Sequence, residues 1–161
     1  MKTVFDKSAE CEIHITRSFK APRERVWQMY SQAEHLKHWW GPEGWTLPVC
    51  DLDFRVDGLW FYCMAGPDNT TSCGKATYLE IDAPRRLVYT DEFADADGMV
   101  VDGFPAAHIT VEFSEDDDQT TVRSLIRYDT REQRDAIVEM DAEAGIDQTL
   151  NRLEAYLEST A

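Results

Sequence analysis

Two apolar runs joined by an acidic turn decide the fold, and they lie in the segment 106–128, which reads AAHITVEFSEDDDQTTVRSLIRY. Apolar and polar residues alternate on both sides of Asp117 and Asp118, which is the pattern of two half-buried strands in a hairpin. A turn centred between these aspartates places Glu112 opposite Arg123, an attractive cross-strand pair. The same register puts the apolar residues on the other face, with Phe113 against Val122, Val111 against Ser124, and Ile109 against Ile126. That face has to be covered, and we expect the C-terminal helix to cover it.

Two further positions of this hairpin have opposite surroundings. The register places His108 beside Arg127 on the outer, polar face, where a catalytic base would have nothing to act on, so a surface histidine is expected. Ser124 is a small hydroxyl residue among apolar neighbours on the inner face. It forms either the floor of a pocket or a core serine bonded to the backbone.

Apolar periodicity predicts the elements that precede the hairpin. A strand is expected over 10–19, and a short helix or helix pair over 22–39. Turn residues separate four more predicted strands, at 45–56, 59–64, 75–81 and 87–93. The stretch 94–105 is the longest predicted loop, and 1–9 is expected to be a flexible N-terminus.

The last segment predicts an amphipathic helix over about 131–158. Its apolar stripe consists of Ile137, Met140, Ala144, Leu150, Leu153 and Leu157. Gly145 inside the helix costs about 1 kcal/mol relative to alanine, so a kink or a close approach to the sheet is expected there. The chain is therefore predicted to be one α+β domain over 1–161. Six to seven antiparallel strands form a curved sheet around a long C-terminal helix, with two short helices between strands 1 and 2.

The Asp57-Gly58 pair predicts a second tight hairpin. A two-residue turn there would pair Asp53 with Tyr62 and Arg55 with Trp60. If the aromatic side chains look inward, both charges come with them and must pair, because a lone buried charge costs several kcal/mol. Such a pair would anchor the polar end of a ligand. A bulge that admits the aromatic residues and keeps the charges outside is equally compatible with the pattern.

Composition excludes several classes of partner. The 161 residues include 16 basic and 31 acidic side chains, a formal charge of -15. This charge repels phosphate backbones and anionic membrane surfaces, so nucleic acid is not an expected partner. The N-terminus lacks a signal-peptide pattern, and no apolar run approaches the roughly 18 residues that span a bilayer. Membrane insertion is therefore not expected, and a cytoplasmic location is predicted.

Cysteine and histidine spacings indicate no metal site. Cys11, Cys50, Cys63 and Cys73 contain no CxxC pair, and buried, reduced thiols are predicted. His35 and His38 have a spacing that can share a metal ion, but no carboxylate or cysteine motif completes the set.

The acidic stretch 91–98 does not fit a calcium loop, since Phe93 stands where an acid is needed, and a solvated loop is predicted. The acidic residues at 116–118 are predicted to form a charged hairpin tip. No catalytic residue, metal or cofactor is predicted.

The element order and several short motifs resemble the START-like helix-grip (SRPBCC) superfamily. Within it, the chain is most similar to the branch named after the C-terminal domain of the heat shock protein 90 ATPase activator. The resemblance covers about 10–158. Its motifs are ITRSF at 15–19, AP at 21–22, VW at 26–27, WWGP at 39–42, DFRVDG at 53–58 followed by Trp60, Gly74, EIDAP at 80–84, RLVYT at 86–90, and MDAEAG at 140–145 followed by Leu150 and Leu153. Ile146 and Asp57 depart from the pattern of many relatives, which carry tryptophan and glycine there. The first departure changes the shape of the pocket.

The resemblance implies a cavity between sheet and helix, which that superfamily uses for lipids, sterols, polyketides and plant hormones. The leading hypothesis is a carrier or sensor that binds a small hydrophobic or aromatic molecule. The alternatives are a co-chaperone-like regulator of a chaperone ATPase in a stress response, and an enzyme of the polyketide cyclase or hydrolase type. The enzyme is less expected, because no catalytic constellation can be assembled. A monomer or homodimer is expected.

The predicted ligand contacts combine the inner face of the hairpin with the aromatic strands before it. They are Trp60, Tyr62, Met64, Tyr89, Ile109, Val111, Ser124, Ile126 and Tyr128, with Asp53 and Arg55 as the polar pair.

Overall fold

The protein folds as a curved antiparallel sheet wrapped around its C-terminal helices, as the computed structural model of residues 2–160 shows. The strands are β1 (Val4–Asp6), β2 (Glu12–Phe19), β3 (Thr46–Leu52), β4 (Leu59–Ala65), β5 (Thr71–Asp82), β6 (Arg86–Ala94), β7 (Ala107–Asp116) and β8 (Gln119–Arg127). The helices are α1 (Arg23–Ser31), α2 (Ala33–Trp39), α3 (Arg131–Glu139) and α4 (Ala142–Ser159). The strand order is β1-β2-β8-β7-β6-β5-β4-β3. The predicted helix-grip architecture is confirmed.

The hairpin of β7 and β8 has the predicted register. Glu112 lies opposite Arg123, Val111 opposite Ser124, and Ile109 opposite Ile126. Asp117 and Asp118 both have positive φ angles, of 51° and 59°, as a two-residue turn of the hairpin type requires. The carboxylate of Glu112 forms its ion pair with Arg86 of the neighbouring strand, at 3.2 Å.

The sheet has eight strands, more than the six to seven expected. The addition is β1, which lies within the stretch 1–9 for which flexibility is predicted. It pairs with β2 through Val4 opposite Thr16 and Asp6 opposite His14. Three residues are too few for a periodicity argument, so the sequence carries no signal for this edge strand.

Arg134 of α3 holds the start of the chain in place. Its side chain is 9% exposed, and Nη1 donates to the carbonyl oxygens of Lys7, Ala9 and Glu12 at 3.0, 3.2 and 3.1 Å. We expect Arg134→Ala to lower the free energy of unfolding by about 2–3 kcal/mol, because three carbonyl groups lose a charged donor together. Urea unfolding checks this. The matched control is Arg131→Ala: Arg131 is 60% exposed, and its loss should cost less than about 0.5 kcal/mol. Equal losses in the two variants would contradict this role of Arg134.

The single C-terminal helix that the sequence predicts is two helices. The break lies at Met140 and Asp141, where Asp141 adopts a left-handed conformation with φ of 63°. Aspartate tolerates this conformation better than most residues. Because the helix breaks here, α3 can contact β2 while α4 packs along α2. Gly145, where a kink was expected, lies inside α4 and next to Pro42. A close approach occurs at Gly145, but to the turn after α2.

The prediction of reduced thiols is wrong for two of the four cysteines. Cys63 and Cys73 form a disulfide between β4 and β5, with a Cα–Cα distance of 4.0 Å, while Cys11 and Cys50 are free. The two bonded residues are direct cross-strand partners, a relation that depends on strand register and not on their spacing in sequence. Because cytosolic thiols are usually kept reduced, the predicted cytoplasmic location gains no support from this bond.

The core lies between the inner face of the sheet and the helices. Leu150, Leu153 and Leu157 of α4 are all less than 9% exposed and join the main cluster of buried apolar side chains. No helix formed by residues 2–160 is long and apolar enough to cross a membrane. The apolar face of the β7–β8 hairpin belongs to the same buried cluster, and part of its cover comes from α1, since Trp27 and Tyr30 meet Phe113 edge-on with ring centroids 5.2 and 5.1 Å apart.

Candidate ligand cavity

A cavity of about 350 Å³ lies between the inner face of the sheet and the helices. Its walls come from β2, from the strands β4 to β8, and from all of the helices α1 to α4. Most of the predicted ligand contacts line it: Tyr62, Met64, Tyr89, Ile109, Val111, Ser124, Ile126 and Tyr128. Side chains from distant parts of the chain therefore converge on one space.

Strand register explains why the aromatic residues of β4 and β6 face this space. Tyr62 is the direct partner of Gly74, and Tyr89 is the partner of Tyr78. Alternate residues of a strand share a face, so Trp60, Tyr62 and Met64 point inward together. Trp60 does not line the cavity. It is 2% exposed and lies behind the wall, with ring centroids 4.6 Å from Tyr62 and 4.8 Å from Trp40.

Asp53 and Arg55, the predicted polar pair, are not in the cavity. The turn before β4 is a longer loop, so Leu52 pairs with Trp60 and the predicted two-residue register is wrong. Arg55 and Asp53 form their ion pair at 2.8 Å outside, with side chains 71% and 53% exposed. The aromatic side chains of β4 therefore face inward while the two charges lie at the surface, which was one of the two arrangements compatible with the sequence. A loop before β4, and not a bulge, separates the charges from the aromatic residues.

Three of the histidines make contacts within the fold and lie outside the cavity lining. His108 lies opposite Arg127, as predicted. Nδ1 of His35 lies 2.7 Å from the hydroxyl of Tyr156, and the ring of His38 stacks on the same tyrosine with centroids 4.8 Å apart. In the part of the chain that the structure describes, no group of His, Cys, Asp or Glu residues is arranged to hold a metal ion.

Asp91 is the functional candidate that sequence reasoning missed. It was assigned to a solvated acidic loop over 91–98, but it belongs to β6 and lines the cavity. The hydroxyl of Tyr62 donates to its Oδ2 at 2.8 Å. Its Oδ1 is buried without a hydrogen-bond partner among residues 2–160. The missed signal is the alternation of β6, which puts Asp91 on the same face as Tyr89.

Burial changes the titration of this group and of its neighbours. Desolvation raises the pKa of Asp91 to about 6, and the charge of Glu92 adds to the rise, while the hydrogen bond from Tyr62 and the nearby backbone N–H of Glu92 oppose it. Desolvation and the nearby Asp91 carboxylate raise the pKa values of Tyr62 and Tyr89 well above the ordinary value of a tyrosine. The same causes raise the pKa of Tyr128 to about 12. At neutral pH the cavity therefore holds an ionised carboxylate among protonated phenols.

Gly74 allows Tyr62 to reach Asp91. A Cβ atom added at Gly74 would overlap the ring and hydroxyl of Tyr62, so the phenol lies directly over the backbone of β5. Strand glycines often mark such close approaches. The absence of a side chain on β5 thus sets the position of a polar group on β4.

Comparisons with known proteins agree with this architecture. Residues 20–158 match the family described as Activator of Hsp90 ATPase homolog 1-like protein. The chain is similar to a solution structure of a protein from Arthrobacter aurescens, with 31% identity, a TM-score of 0.89, and coverage of 97% of this chain and 91% of that one. A Staphylococcus epidermidis protein gives 32% identity and a TM-score of 0.85, with coverage of 98% and 95%. A crystal structure of a Mycobacterium smegmatis protein gives 28% identity and a TM-score of 0.87, with coverage of 98% of this chain and 96% of that one. A comparison with curated proteins finds no match.

Proposed function

Because the chain belongs to the Activator of Hsp90 ATPase homolog 1-like family, we propose that it uses the family's helix-grip fold to bind a small hydrophobic or aromatic molecule, as a carrier or sensor. The observation that carries this proposal is the cavity of about 350 Å³. Protein interiors are close-packed and seldom leave voids much larger than a water molecule. This space is partly open to the surface, and packing of the sheet against the helices leaves it unfilled, so it is the feature that a ligand would account for.

The chemistry of the walls supports an apolar or aromatic ligand. Ile109, Val111 and Ile126 supply an aliphatic floor, and Tyr62 and Tyr89 supply rings with polar tips. Small-molecule sites commonly combine apolar walls with a few polar groups in a volume of roughly 300–1,000 Å³. This cavity lies at the small end of that range.

Ser124→Phe tests the proposal because it fills the cavity from its floor. We expect the melting temperature of the unmodified protein to rise with added 1-naphthalenemethanol, since a ligand that binds only the folded state stabilises it. Ser124→Phe should abolish that rise, because the new ring occupies the space of the probe. Thermal unfolding over a concentration series of the probe measures both.

Leu125→Phe is the matched control for this test. Leu125 is the next residue of β8, so its side chain points to the opposite face of the sheet. This variant should respond to the probe as the unmodified protein does. An unchanged response in Ser124→Phe, or no response in the unmodified protein, would contradict the proposal.

The same variant separates a ligand function from a chaperone partnership. The family description suggests a chaperone ATPase as partner, and such a protein would contact the outside of the fold. Ser124→Phe should then leave the partnership unchanged while it removes the ligand response. A chaperone interaction that depends on Ser124 would instead link the two activities.

An enzyme of the polyketide cyclase type is a second candidate, because it requires an acidic and phenolic cluster inside the cavity. Asp53 and Arg55 do not supply this cluster, but Asp91 and Tyr62 do, at 2.8 Å. A raised carboxyl pKa is common in groups that exchange protons at neutral pH. The test is incubation of a copurified ligand with the protein and with Asp91→Asn. A product formed only by the former, detected by mass spectrometry, would favour this candidate.

A further inference from the structure

Asp91 brings a carboxylate to the wall of the cavity. Oδ2 of Asp91 accepts a hydrogen bond from Tyr62, whereas Oδ1 is buried and has no partner among residues 2–160. A buried acceptor without a partner is costly, and more so when it carries charge. Oδ1 itself is closed off from the cavity, so a ligand would respond to the charge of the carboxylate as a whole, which lies at the cavity wall.

The surrounding charges leave this carboxylate without a counter-ion. No lysine, arginine or histidine within residues 2–160 lines the cavity. Glu92 borders the cavity, but strand alternation turns its side chain to the outer face, beside its register partner Lys75. The amine of Lys75 lies near the carbonyl oxygen of Gly98, at 3.4 Å. A cation for Asp91 would therefore have to come from the ligand.

Arg17 is the inner-face arginine of β2, and its contacts are elsewhere. It donates to the hydroxyl of Thr3 at 2.7 Å and does not line the cavity. Its guanidinium lies 3.8 Å from Asp147 and 3.5 Å from Glu154, both on α4. These two carboxylates of α4 balance the charge of Arg17, so Arg17 is not a counter-ion for Asp91.

Aromatic rings belong to the same cavity lining as the carboxylate. Trp40 and Tyr62 line it with ring centroids 5.9 Å apart and planes at 76°, and Tyr89 lies on the same strand as Asp91. Ring faces attract cations, most strongly in desolvated sites. A carboxylate beside several such rings is the combination that recognises alkylammonium groups.

We propose that the natural ligand carries a protonated amine or quaternary ammonium group on an apolar or aromatic body, with the cationic group at Asp91 beside Tyr62 and Tyr89. This inference rests on the proposed ligand-binding function. It disfavours fatty acids and other carboxylates, which would meet Asp91 and find no cation in the cavity. A neutral hydroxyl group would interact with this carboxylate more weakly than a charged donor does.

The test uses three probes that share one ring system and differ in charge: 1-naphthylmethylamine, 1-naphthalenemethanol and 1-naphthoate. Their affinities for the full chain are measured by titration calorimetry at pH 7.5. We expect the amine to bind about tenfold or more tighter than the alcohol, because its donor is charged. The carboxylate should show no saturable binding at concentrations that saturate the amine.

Asp91→Asn keeps the shape of the site and removes the charge, so the ratio of amine to alcohol affinity should fall to about one. Tyr62→Phe removes the hydroxyl and keeps the carboxylate, so the ratio should stay at or above its original value. Asp97→Asn is the charge-matched control, since Asp97 is exposed on the loop after β6, and its ratio should not change.

The outcomes separate this inference from the proposed function. Binding of the alcohol that Ser124→Phe blocks would support the cavity function by itself. The proposed ligand class would be overturned if the amine then binds no tighter than the alcohol, or if Asp91→Asn leaves the ratio of amine to alcohol affinity unchanged. Tighter binding of the carboxylate would also overturn the ligand class. If none of the three probes binds, both proposals fail.

Discussion

Replacing Trp39 by alanine is expected to lower the free energy of unfolding by about 3–5 kcal/mol, the usual cost of deleting a large aromatic side chain from a core. Trp39 is 1% exposed, and its indole N–H donates to the carbonyl oxygen of Met29 at 3.1 Å. Its ring meets Tyr30 and Trp40 edge-on, with centroids 4.9 and 5.4 Å apart. The substitution removes these contacts and leaves the Met29 carbonyl unpaired. Urea unfolding followed by circular dichroism measures the loss.

A second tryptophan serves as the control for this prediction. Trp45 lies half-buried against Gly66, beyond the core, and Trp45→Ala should cost about 1 kcal/mol, near the average for a point substitution. Trp39 also lines the cavity, so its loss should enlarge the space between α2 and the sheet. Similar losses in the two variants would show that α2 is not packed as the structure has it.

Asp91→Asn is expected to make the protein more stable at pH 7.5, by at most about 3 kcal/mol, and to leave stability almost unchanged at pH 4. Burial raises the carboxyl pKa from 3.8 to about 6, so between these values the folded state binds a proton that the unfolded state has lost. The stability of the unmodified protein therefore falls as pH rises through this window. Asparagine does not titrate and still accepts the hydrogen bond from Tyr62. Urea unfolding at a series of pH values gives the difference.

The groups around Asp91 do not obscure this window. Tyr62 on β4, Tyr89 on β6 and Tyr128 after β8 have pKa values raised by burial, so they stay protonated across it. Glu92 is the remaining neighbour that acts on Asp91, and it is present in both proteins. Asp97→Asn supplies the comparison for a charge change at the surface. Parallel pH profiles for Asp91→Asn and the unmodified protein would refute the burial of this charge.

These two predictions connect stability with the proposed site. A buried carboxylate that lowers stability at neutral pH resembles the functional groups for which proteins commonly give up stability. A cationic ligand would supply the missing partner and restore the lost free energy. The prediction for Asp91→Asn and the ligand proposal thus depend on the same carboxylate, whose charge no residue of the cavity lining balances.

Local signals predicted the hairpin of β7 and β8 and the inner position of Ser124. A two-residue turn determines the register of its strands, so Asp117 and Asp118 were sufficient. The same reasoning failed at Asp57, because that turn is a longer loop and Asp53 and Arg55 lie outside the ladder. A dipeptide indicates a turn but does not determine how many residues the turn contains.

The position of Asp91 needed information from three strands. Its hydroxyl partner lies on β4, and Gly74 on the intervening strand β5 allows the contact. The disulfide of Cys63 and Cys73 depends on the same alignment of β4 with β5. Neither relation is visible in the spacing of these residues along the chain.

The amino-acid sequence by itself determined the order of the strands from β2 to β8, the place of α1 and α2 between β2 and β3, and the inner face of the last hairpin. Each of these follows from periodicity and turn chemistry within a few neighbouring residues. Only the tertiary structure decided that Tyr62 meets Asp91, that the helix breaks at Asp141, and that a cavity remains beneath it. These features arise where separate strands and helices pack together, and their register and spacing depend on contacts across the whole chain.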